Sequence, residues 1–556
     1  MNKFFWIFIF LVGFTTAYSQ QVYKVTYEKL SNNVKVDETN PIVVWANQEE
    51  SILGNLKSFE SSKTFPYEIT EFEKGDSVFK QSTFFSNDST ISTINKNHYP
   101  LESFKKTNKT KRILGIKCKH AEISINSNHI DLWYIDHLNI YAAPNAIGFP
   151  LGLIMEYERN NNFSIRVNKI EELKNFDINQ FTSSINENNE LLNSDYQYII
   201  WKNKFITIPI FEQERINFSD QNQTKNNVLR FANGTVIVKR VKFPKLNLED
   251  HVFLDLKQFS DGDAYDRTGS VFIIPINSDN NFLKAMQNGV QNLPIYTNGD
   301  GKKYQGIVRT ETFEPTIELM RFFTSFGIKK FNYIELKDKN WLEETEFRQD
   351  ITEFNQLLSD KEVYIGAFIG NYDKGGHIIS AEATIHKGGK TLLPSKKVIP
   401  VFNTLNILEM AGQEYGSLFD NDKGLLVEFE LKEDVNNAQL RYITTGHGGW
   451  ENGDEFVPKQ NFIYLDDKEI FNLAPWKTDC GSYRNLNPAS GNFENGLSSS
   501  DYSRSNWCPG TITNPYYISL GNLKAGKHKI QVKIPQGKKE GNSFSFWSVS
   551  GVILGE

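Results

Sequence analysis

Short stretches in which apolar and polar residues alternate recur from the beginning of the chain to its end. Tyr23, Val25 and Tyr27 alternate with polar neighbours near the start, and residues 530–534 repeat the pattern near the end. A period of two places the apolar side chains on one face of an extended strand, whereas a helix needs a period near 3.6. The sequence therefore predicts an all-β protein built from antiparallel sheets.

The length of the chain sets the number of domains. At 556 residues it is too long for a single hydrophobic core and suggests about three domains. We predict a β-rich accessory domain at residues 20–200, a first β-sandwich at residues 201–390 and a second at residues 391–556. The first boundary follows a join at residues 194–201, and the second follows the linker His-Lys-Gly-Gly at residues 386–389.

The segment between residues 363 and 385 has the form of a β-hairpin. Two strand-like runs, at residues 363–369 and 378–385, flank the turn sequence Asn-Tyr-Asp-Lys-Gly-Gly at residues 371–376. Because Asn and Gly readily adopt the backbone angles of tight turns, we expect the two strands to pair with each other.

The charge balance and the apolar segments narrow the classes of function. A net charge of -6 without basic asymmetry makes nucleic acid an unexpected partner. Residues 1–19 have the features of a secretory signal peptide: Lys3, an apolar run of eleven residues at 4–14, and small residues at the cleavage site. Eleven residues are too few to cross a bilayer, which needs about 20. We therefore expect an exported protein without a membrane span.

Three cysteines remain after the predicted cleavage site, namely Cys118, Cys480 and Cys508. An odd number allows at most one intramolecular disulfide and leaves one thiol. We expect Cys480 to pair with Cys508, because they enclose a loop rich in Asn, Ser and Gly that has little else to hold it. No Cys-x-x-Cys or histidine pair accompanies them, so a metal site at these cysteines is not expected.

An acidic turn at residues 261–267 is the first candidate for catalytic chemistry. Asp263 and Asp266 lie three residues apart just before an apolar strand, with Tyr265 and Arg267 beside them. If both carboxylates face one pocket, their repulsion raises one pKa towards that of a general base. The arginine can bind a carbonyl or hydroxyl group, and the tyrosine offers a flat face to a sugar ring. The same residues are also typical of a β-turn that binds nothing.

A glycine-rich stretch at residues 444–456 is the second candidate. It surrounds His447 with small residues and contains three acids, among them Glu455. Small residues let a backbone lie close to a ligand. The alternatives are a solvated acid at the start of a strand and a loop histidine hydrogen-bonded to backbone.

Three ordered segments resemble the peptide:N-glycosidase F family, bacterial amidases that remove N-glycans from asparagine. Residues 263–267, Asp-Ala-Tyr-Asp-Arg, resemble its Asp-Glu-Trp-Asp-Arg. Residues 446–456, continued by the strand at 461–465, resemble its segment in which Gly-His is followed by Ala-Glu-Trp. Residues 504–510, Arg-Ser-Asn-Trp-Cys-Pro-Gly, resemble its Arg-Ala-Gly-Trp-Cys-Pro-Gly. The matches cover residues 205–556, and the additional N-terminal part makes the chain similar to the type II form.

The N-terminal part carries a resemblance of its own. Residues 148–154, Gly-Phe-Pro-Leu-Gly-Leu-Ile, are similar with one inserted residue to the signature of the GLPGLI family of small exported proteins. That family has no settled activity, so the resemblance indicates an accessory domain and no more.

The resemblance to peptide:N-glycosidase F implies two jelly-roll-like β-sandwiches side by side, with the active site between them. It implies that Asp266 activates or orients the attacking water, and that Glu455 organises the site through water or the first N-acetylglucosamine. The side chains implied to bind the substrate, by polar donors or apolar faces, are Asp263, Tyr265, Arg267, His447, Phe456, Arg504 and Trp507. The implied reaction hydrolyses the amide of a glycosylated asparagine and leaves aspartate in the peptide.

Two positions depart from the family's pattern. Its third important carboxylate falls at Phe368, and a sugar-facing tryptophan falls at Gly370. Either another acid such as Asp373 fills the space, or the pocket is wider. A wider pocket implies tolerance of glycans that are fucosylated on the innermost sugar.

The implied partners are N-glycosylated proteins and glycopeptides, bound by a monomer in the periplasm or the medium of a Gram-negative bacterium. No cofactor and no metal are expected. The main alternative is an N-glycan-binding protein that has lost catalysis. A metal-dependent hydrolase would use His447, Glu451, Asp454 and Asp263, and a glycoside hydrolase would leave the asparagine unchanged.

Overall fold

The computed structural model describes most of the chain from residue 21 to residue 556. Within this range it leaves out residues 37–38, 61–62, 64, 74–77, 87–88, 97–98, 186–188, 220–226, 279, 328–336, 339, 373, 414, 449–451, 489–497, 540 and 542. The predicted signal peptide, Asp373 and Glu451 therefore lie outside the described residues. In the part that is described, no helix has the length and apolar character needed to cross a bilayer.

The chain forms two compact units, Met1–Lys204 and Phe205–Glu556. The first unit is one antiparallel sheet with the order β7-β6-β5-β4-β3-β1-β12-β11-β10-β9-β8, to which β2 is added beside β1. Its strands are β1 (Val22–Ser31), β2 (Val34–Val36), β3 (Ile42–Ala46), β4 (Glu50–Asn55), β5 (Tyr67–Glu73), β6 (Val78–Phe84), β7 (Thr90–Lys96), β8 (Lys105–Ile113), β9 (Ile116–Ile125), β10 (Asn128–Ile135), β11 (Leu153–Arg159) and β12 (Phe163–Leu173). Its helices are α1 (Asn193–Asn203) and the 3₁₀ turns Leu56–Phe59, Leu101–Ser103, Phe149–Leu151 and Ile178–Phe181.

The sheet of the first unit buries apolar side chains on both faces. In β3, Val44 belongs to a large core with Leu132 and Val167, whereas Val43 and Trp45 belong to a smaller cluster on the opposite face. Neighbouring residues of a strand point to opposite faces, so one strand supplies both cores.

The second unit contains two β-sandwiches, which confirms the all-β sandwich fold. The first consists of a four-stranded sheet, β13-β23-β16-β21, and a six-stranded sheet, β14-β15-β22-β17-β20-β29. Its strands are β13 (Ile206–Asn217), β14 (Val228–Phe231), β15 (Val236–Lys242), β16 (His251–Ser260), β17 (Thr268–Ile274), β20 (Ile317–Phe323), β21 (Glu344–Asp350), β22 (Glu362–Ile369), β23 (Gly376–His386) and β29 (Ile512–Thr513). A separate two-stranded ribbon is formed by β18 (Ile295–Thr297) and β19 (Lys303–Gln305).

The second sandwich pairs two four-stranded sheets, β24-β32-β26-β30 and β25-β31-β27-β28. Its strands are β24 (Lys397–Asn403), β25 (Leu425–Leu431), β26 (Val435–Gly448), β27 (Asn461–Leu465), β28 (Lys468–Leu473), β30 (Tyr516–Leu523), β31 (Gly526–Lys533) and β32 (Ser545–Gly555). The helices of this unit are α2 (Phe282–Asn288), α3 (Asn355–Leu358) and the 3₁₀ turns Ala232–Gly234, Val290–Asn292, Thr352–Phe354, Glu409–Ala411, Cys480–Leu486 and Ser499–Asp501. The division of the chain at residues 200 and 390 stays a prediction.

The six-stranded sheet is buried on both of its faces. Along β17, Val271 and Ile273 belong to the core of the first sandwich, whereas Phe272 and Ile274 belong to a core shared with the second sandwich. A strand covered on both sides needs apolar residues at every position, which explains the continuous apolar run here.

The predicted hairpin between residues 363 and 385 is wrong. β22 pairs with β15 and β17 in the six-stranded sheet, whereas β23 pairs with β13 and β16 in the four-stranded sheet. The turn between them therefore crosses from one layer of the sandwich to the other. Local turn residues could not reveal this. β22, which is buried from residue 365 to residue 369, is placed by its partners β15 and β17 and by the two cores that cover its sheet.

A buried ion pair joins the two sandwiches. Arg321 on β20 binds Glu318 at 2.7 Å, and both side chains are fully buried. The same guanidinium donates to Thr445 Oγ1 at 3.0 Å and to the carbonyl of Ser548 at 2.7 Å, both in the second sandwich. Directional bonds of this kind fix the position of β20 relative to β26 and β32, which belong to another sheet. They thereby also position the loops at the ends of these strands.

Candidate active site

The acidic turn at residues 261–267 links β16 and β17, which belong to different sheets of the first sandwich. Its organising group is Asp263, which is 1% exposed. The carboxylate accepts hydrogen bonds from Arg267 Nε at 2.7 Å, from Asn371 Nδ2 at 2.8 Å and from the backbone N–H of Tyr265 at 3.0 Å. Asp263 thus holds the turn and orients Arg267.

The electrostatics of Asp263 differ from those of its neighbour Asp266. Burial alone would raise the pKa of Asp263, but His377 and Arg267 outweigh burial and lower the pKa to about 2. The sequence suggested that Asp263 and Asp266 would repel each other if they faced one pocket. In the structure, the carboxylate that repels Asp266 is instead Glu455, and Asp266 helps to raise the pKa of Glu455.

Arg504 brings Asp266 and Glu455 together. Its Nη1 lies 3.0 Å from Asp266 Oδ2 and 2.5 Å from Glu455 Oε1. Asp266 comes from the turn before β17, Glu455 from the loop between β26 and β27, and Arg504 from the segment between β28 and β29. The side chain of Arg504 is 1% exposed, whereas those of Asp266 and Glu455 are 16% and 18% exposed. The buried guanidinium of Arg504 therefore holds two carboxylates that are partly exposed to solvent.

Burial perturbs both of these carboxylates. It raises the pKa of Asp266, although Arg504 and Arg267 oppose the effect. It also raises the pKa of Glu455 to about 7, with Asp266 adding to the effect and Arg504 opposing it. Because the two groups interact, they titrate as a pair, and the raised pKa of Glu455 favours one proton on this pair at pH values up to about 7. Such a pair can supply a base and an acid in one site.

His447 and Trp507 lie beneath the cluster and are almost enclosed, at 5% and 3% exposed. His447 Nε2 is 2.7 Å from Thr445 Oγ1, and its ring packs against Phe546 and Trp507. Burial lowers its pKa well below the usual range, and the nearby arginines add to the effect. Trp507 donates its indole N–H to a backbone carbonyl at 2.9 Å and lies under the Arg504 guanidinium at 4.3 Å. Trp507 therefore supports Arg504 from inside the protein, and His447 packs against Trp507.

Phe456 is a second aromatic neighbour of the Arg504 guanidinium. Its ring is 5.1 Å from the guanidinium carbon and makes an edge contact with Tyr502 at 5.6 Å. It is half-buried, so part of the ring faces solvent beside Glu455 in the chain.

An aromatic surface adjoins the acidic turn. Tyr265 is 54% exposed and Tyr372 is 48% exposed, and the Arg267 guanidinium carbon lies 4.9 Å from the first ring and 5.1 Å from the second. Tyr372 donates its hydroxyl to Glu409 at 2.7 Å. Flat rings oriented by a charged group are suited to carry an apolar sugar face.

The sequence did not single out Tyr372 or Glu409 for this surface. An aromatic residue in a turn otherwise rich in Asn, Asp and Gly was a visible signal for Tyr372. Glu409 carries no signal in the sequence, because it comes from a 3₁₀ turn of the second sandwich. Only the packing of the two sandwiches brings it to Tyr372.

The two positions that depart from the family's pattern have different surroundings. Phe368 is fully buried in the core shared by the sandwiches. A side chain added at Gly370 would meet the Phe368 ring at 3.4 Å and Asn406 Nδ2 at 3.8 Å, which are ordinary contact distances. Asn406 in turn donates to Glu409 at 2.6 Å. The absence of a side chain at Gly370 therefore leaves room on the side facing Asn406 and Glu409.

The disulfide between Cys480 and Cys508 is present, as predicted, with a sequence separation of 28 residues. It closes the segment that contains Arg504 and Trp507. Cys118 is a buried free thiol.

The described ligands of the metal-dependent alternative, His447, Asp454 and Asp263, do not form a group able to hold a metal ion. Asp454 is fully buried and accepts from Trp547 Nε1 at 2.8 Å, while His447 faces Thr445. Among the described side chains, the group able to hold a metal ion is His120, Glu122 and Asp131 of the first unit. Glu451 lies outside the described residues.

Three family models match the chain in order. They are described as "N-glycanase peptide, N-terminal domain" at residues 25–196, "Peptide-N-glycosidase F, N terminal" at residues 207–385 and "Peptide-N-glycosidase F, C terminal" at residues 414–554. The first of them includes the GLPGLI-like stretch, which stays a resemblance.

Two solved structures are similar over nearly the whole length. Structures of PNGF-II in space groups C2 and P21 are each 50% identical to this chain, with a TM-score of 0.86. The matches cover 96% of this chain and 98% and 99% of the respective PNGF-II chains. A comparison with curated protein sequences gives no match. Because the two Peptide-N-glycosidase F models and the N-terminal domain model all match in order, the chain belongs to the peptide-N-glycosidase F family, in its type II form.

Proposed function

We propose that the protein is a peptide-N4-(N-acetyl-β-glucosaminyl)asparagine amidase that releases N-linked glycans from glycoproteins and glycopeptides. The observation that carries this proposal is the position of Asp266 and Glu455 on one nitrogen of Arg504. Amide hydrolysis needs a group that activates water and a group that delivers a proton to the leaving nitrogen. Two interacting carboxylates that share one proton near neutral pH meet both needs.

In this mechanism Asp266 takes a proton from water, and the water oxygen attacks the carbonyl carbon of the asparagine side chain. The carbon–nitrogen bond breaks as protonated Glu455 gives its proton to the nitrogen, so that a glycosylamine leaves. The peptide keeps an aspartate, and solvent returns the proton from Asp266 to Glu455. Arg504 keeps both oxygens in place while the charges change. The glycosylamine then loses ammonia.

The aromatic surface is the part of the site that would bind the sugar. Tyr265 and Tyr372, with Arg267 between them, would take the face of a sugar ring near the reacting amide. Phe456 would border the site on the side of the second sandwich. Trp507, packed against His447, would hold Arg504, and Asp263 would hold Arg267, since all three are enclosed.

The test is mass spectrometry of a defined N-glycopeptide after incubation in oxygen-18 water. The parent protein should convert asparagine to aspartate that carries one labelled oxygen, and Asp266→Asn should not. Asp261→Asn is the matched control, because Asp261 lies in the same turn but pairs with Arg215 at the surface. Glycan binding without release would favour the non-catalytic alternative. A peptide that keeps one sugar would favour a glycosidase.

A second part of the proposal concerns core-fucosylated glycans. The space left at Gly370 lies beside Asn406 and next to the aromatic surface, where a fucose on the innermost sugar could project. Gly370→Trp should lose activity on core α1,3-fucosylated glycopeptides and keep it on unmodified ones. The idea fails if the parent protein cleaves unmodified glycopeptides and rejects fucosylated ones.

The proposal also includes export to the periplasm or the medium and action as a monomer. Fractionation of the native cell and size-exclusion chromatography with light scattering would test these two points.

A further inference from the structure

Four side chains of metal-ligating type share one face of two adjacent strands in the first unit. His120 and Glu122 lie two residues apart on β9, and His129 and Asp131 lie two residues apart on β10. A spacing of two keeps both members of each pair on the same face. The register places Glu122 directly opposite Asp131.

The ligand atoms of three of these residues are already close. One ligand atom each from His120, Glu122 and Asp131 lie within 4.8 Å of one another. His120 Nε2 is 2.7 Å from Asp131 Oδ1, and His129 Nε2 is 3.2 Å from Asp131 Oδ2. Two carboxylates directly opposite each other on neighbouring strands repel, and a cation bound between them would turn this repulsion into attraction.

The surroundings of His120 are those of an oriented ligand. Its side chain is fully buried, and its Nδ1 lies 2.7 Å from Thr107 Oγ1 on β8. The N–H of the second ring nitrogen of a metal-binding histidine usually donates to a hydrogen-bond acceptor, which fixes the ring, and the Thr107 oxygen is placed to accept it. In the metal-free form Nε2 can donate to Asp131 while Nδ1 accepts from Thr107. Metal binding would move the ring proton to Nδ1, and the Thr107 hydroxyl would turn to accept it.

The other three side chains are more exposed than that of His120. The side chains of Asp131, Glu122 and His129 are 12%, 18% and 49% exposed. Glu122 binds Lys105 at 2.6 Å, but that lysine is 78% exposed and can move into solvent when a cation arrives. Solvent therefore reaches the group of four side chains at His129, whereas His120 forms its buried end.

We propose that His120, Glu122, His129 and Asp131 form a divalent metal site with zinc as the preferred ion. Two imidazoles and two carboxylates are a ligand set that zinc accepts in tetrahedral geometry. The ion would join β9 to β10 and, through Thr107, to β8. The site belongs to the first unit and takes no part in the hydrolysis proposed for the second.

The test uses full-length protein without an affinity tag, stripped with EDTA and titrated with zinc chloride in a calorimeter. We expect one zinc ion per chain and a higher melting temperature with zinc present. His129→Gln and Glu122→Gln alter partly exposed groups, and each should weaken zinc binding at least about 10-fold. His528→Gln is the matched control, because His528 also pairs with a single aspartate at 2.8 Å and should leave zinc binding unchanged.

Two results would overturn the proposal. One is the absence of stoichiometric zinc binding by the parent protein. The other is binding that persists unchanged in both variants, which would place the ion elsewhere, for example at the opposed pair His251 and His386.

Discussion

Asp266 and Arg504 are joined by a hydrogen bond of 3.0 Å although 238 positions separate them in the sequence. The same nitrogen of Arg504 also binds Glu455. One buried guanidinium therefore connects a turn of the first sandwich to a loop of the second. Any movement between the sandwiches at this point would separate the two carboxylates, which makes the cation the central positioning group of the candidate site.

Arg504→Gln should abolish most of the activity. Without the cation, two partly buried carboxylates face each other, so the pKa of the pair rises and the productive geometry is lost. We expect kcat/KM for a glycopeptide to fall by a factor on the order of 10² to 10³. Arg484→Gln is the control. Arg484 lies in the same disulfide-closed segment, but its ion pair with Asp501 is long, at 3.7 Å, and partly exposed to solvent. Equal activity of the two variants would contradict the role of Arg504.

Glu455→Gln should change how stability depends on pH. The folded protein raises the pKa of Glu455 from 4.5 to about 7, so between these values the folded state binds a proton that the unfolded state has released. This group therefore stabilises the fold below pH 4.5, and its contribution is lost as the pH rises towards about 7.

Glutamine removes this dependence, so the stability of the parent relative to the variant should decrease as the pH rises across that window. Guanidinium unfolding followed by tryptophan fluorescence at several pH values measures the difference. Parallel curves for the two proteins would show that Glu455 does not carry a raised pKa.

Tyr265→Ala should weaken substrate binding more than it slows the chemical step. The exposed ring is oriented by Arg267, whose guanidinium carbon lies 4.9 Å from it, whereas Asp266 and Glu455 are held by Arg504. The loss of one aromatic face is worth about 1 kcal/mol, which corresponds to a rise in KM of roughly 5- to 10-fold.

Tyr198→Ala is the matched control for that measurement, because Tyr198 is 65% exposed and has Lys202 over its ring in the first unit. If Tyr265→Ala lowers kcat and leaves KM unchanged, the ring is not a binding surface.

Replacing Cys480 and Cys508 with serine should destabilise the protein and reduce its activity. The disulfide closes a segment of 28 residues, for which the loss of loop-closure entropy predicts about 3.5 kcal/mol. Because Arg504 and Trp507 lie inside that segment, the position of the guanidinium should become less defined. A lower melting temperature with unchanged kcat/KM would show that the hydrogen bonds of Arg504 suffice to hold it.

Much of the candidate site was visible in the sequence, but not the direction of its side chains. The acidic turn and the glycine-rich stretch were predicted to meet, and Asp266 and Glu455 do meet. His447, however, lies near the end of β26 and packs inside the protein against Trp507 and Phe546. Asp263 is enclosed beneath the turn by hydrogen bonds from Arg267 and Asn371. A short motif shows which residues are present, but it does not show which of them are buried in the folded protein.

The sequence by itself determined the all-β character, the disulfide and the family, because alternation, cysteine spacing and ordered motifs are local features. The tertiary structure decided which strands pair and which groups share a charge. β22 and β23 look like a hairpin but enter different sheets, since each strand is placed by cores that form from distant segments. Likewise, Arg504 acquires Asp266 and Glu455 only when two sandwiches pack through a common core, and burial there creates the raised pKa of Glu455.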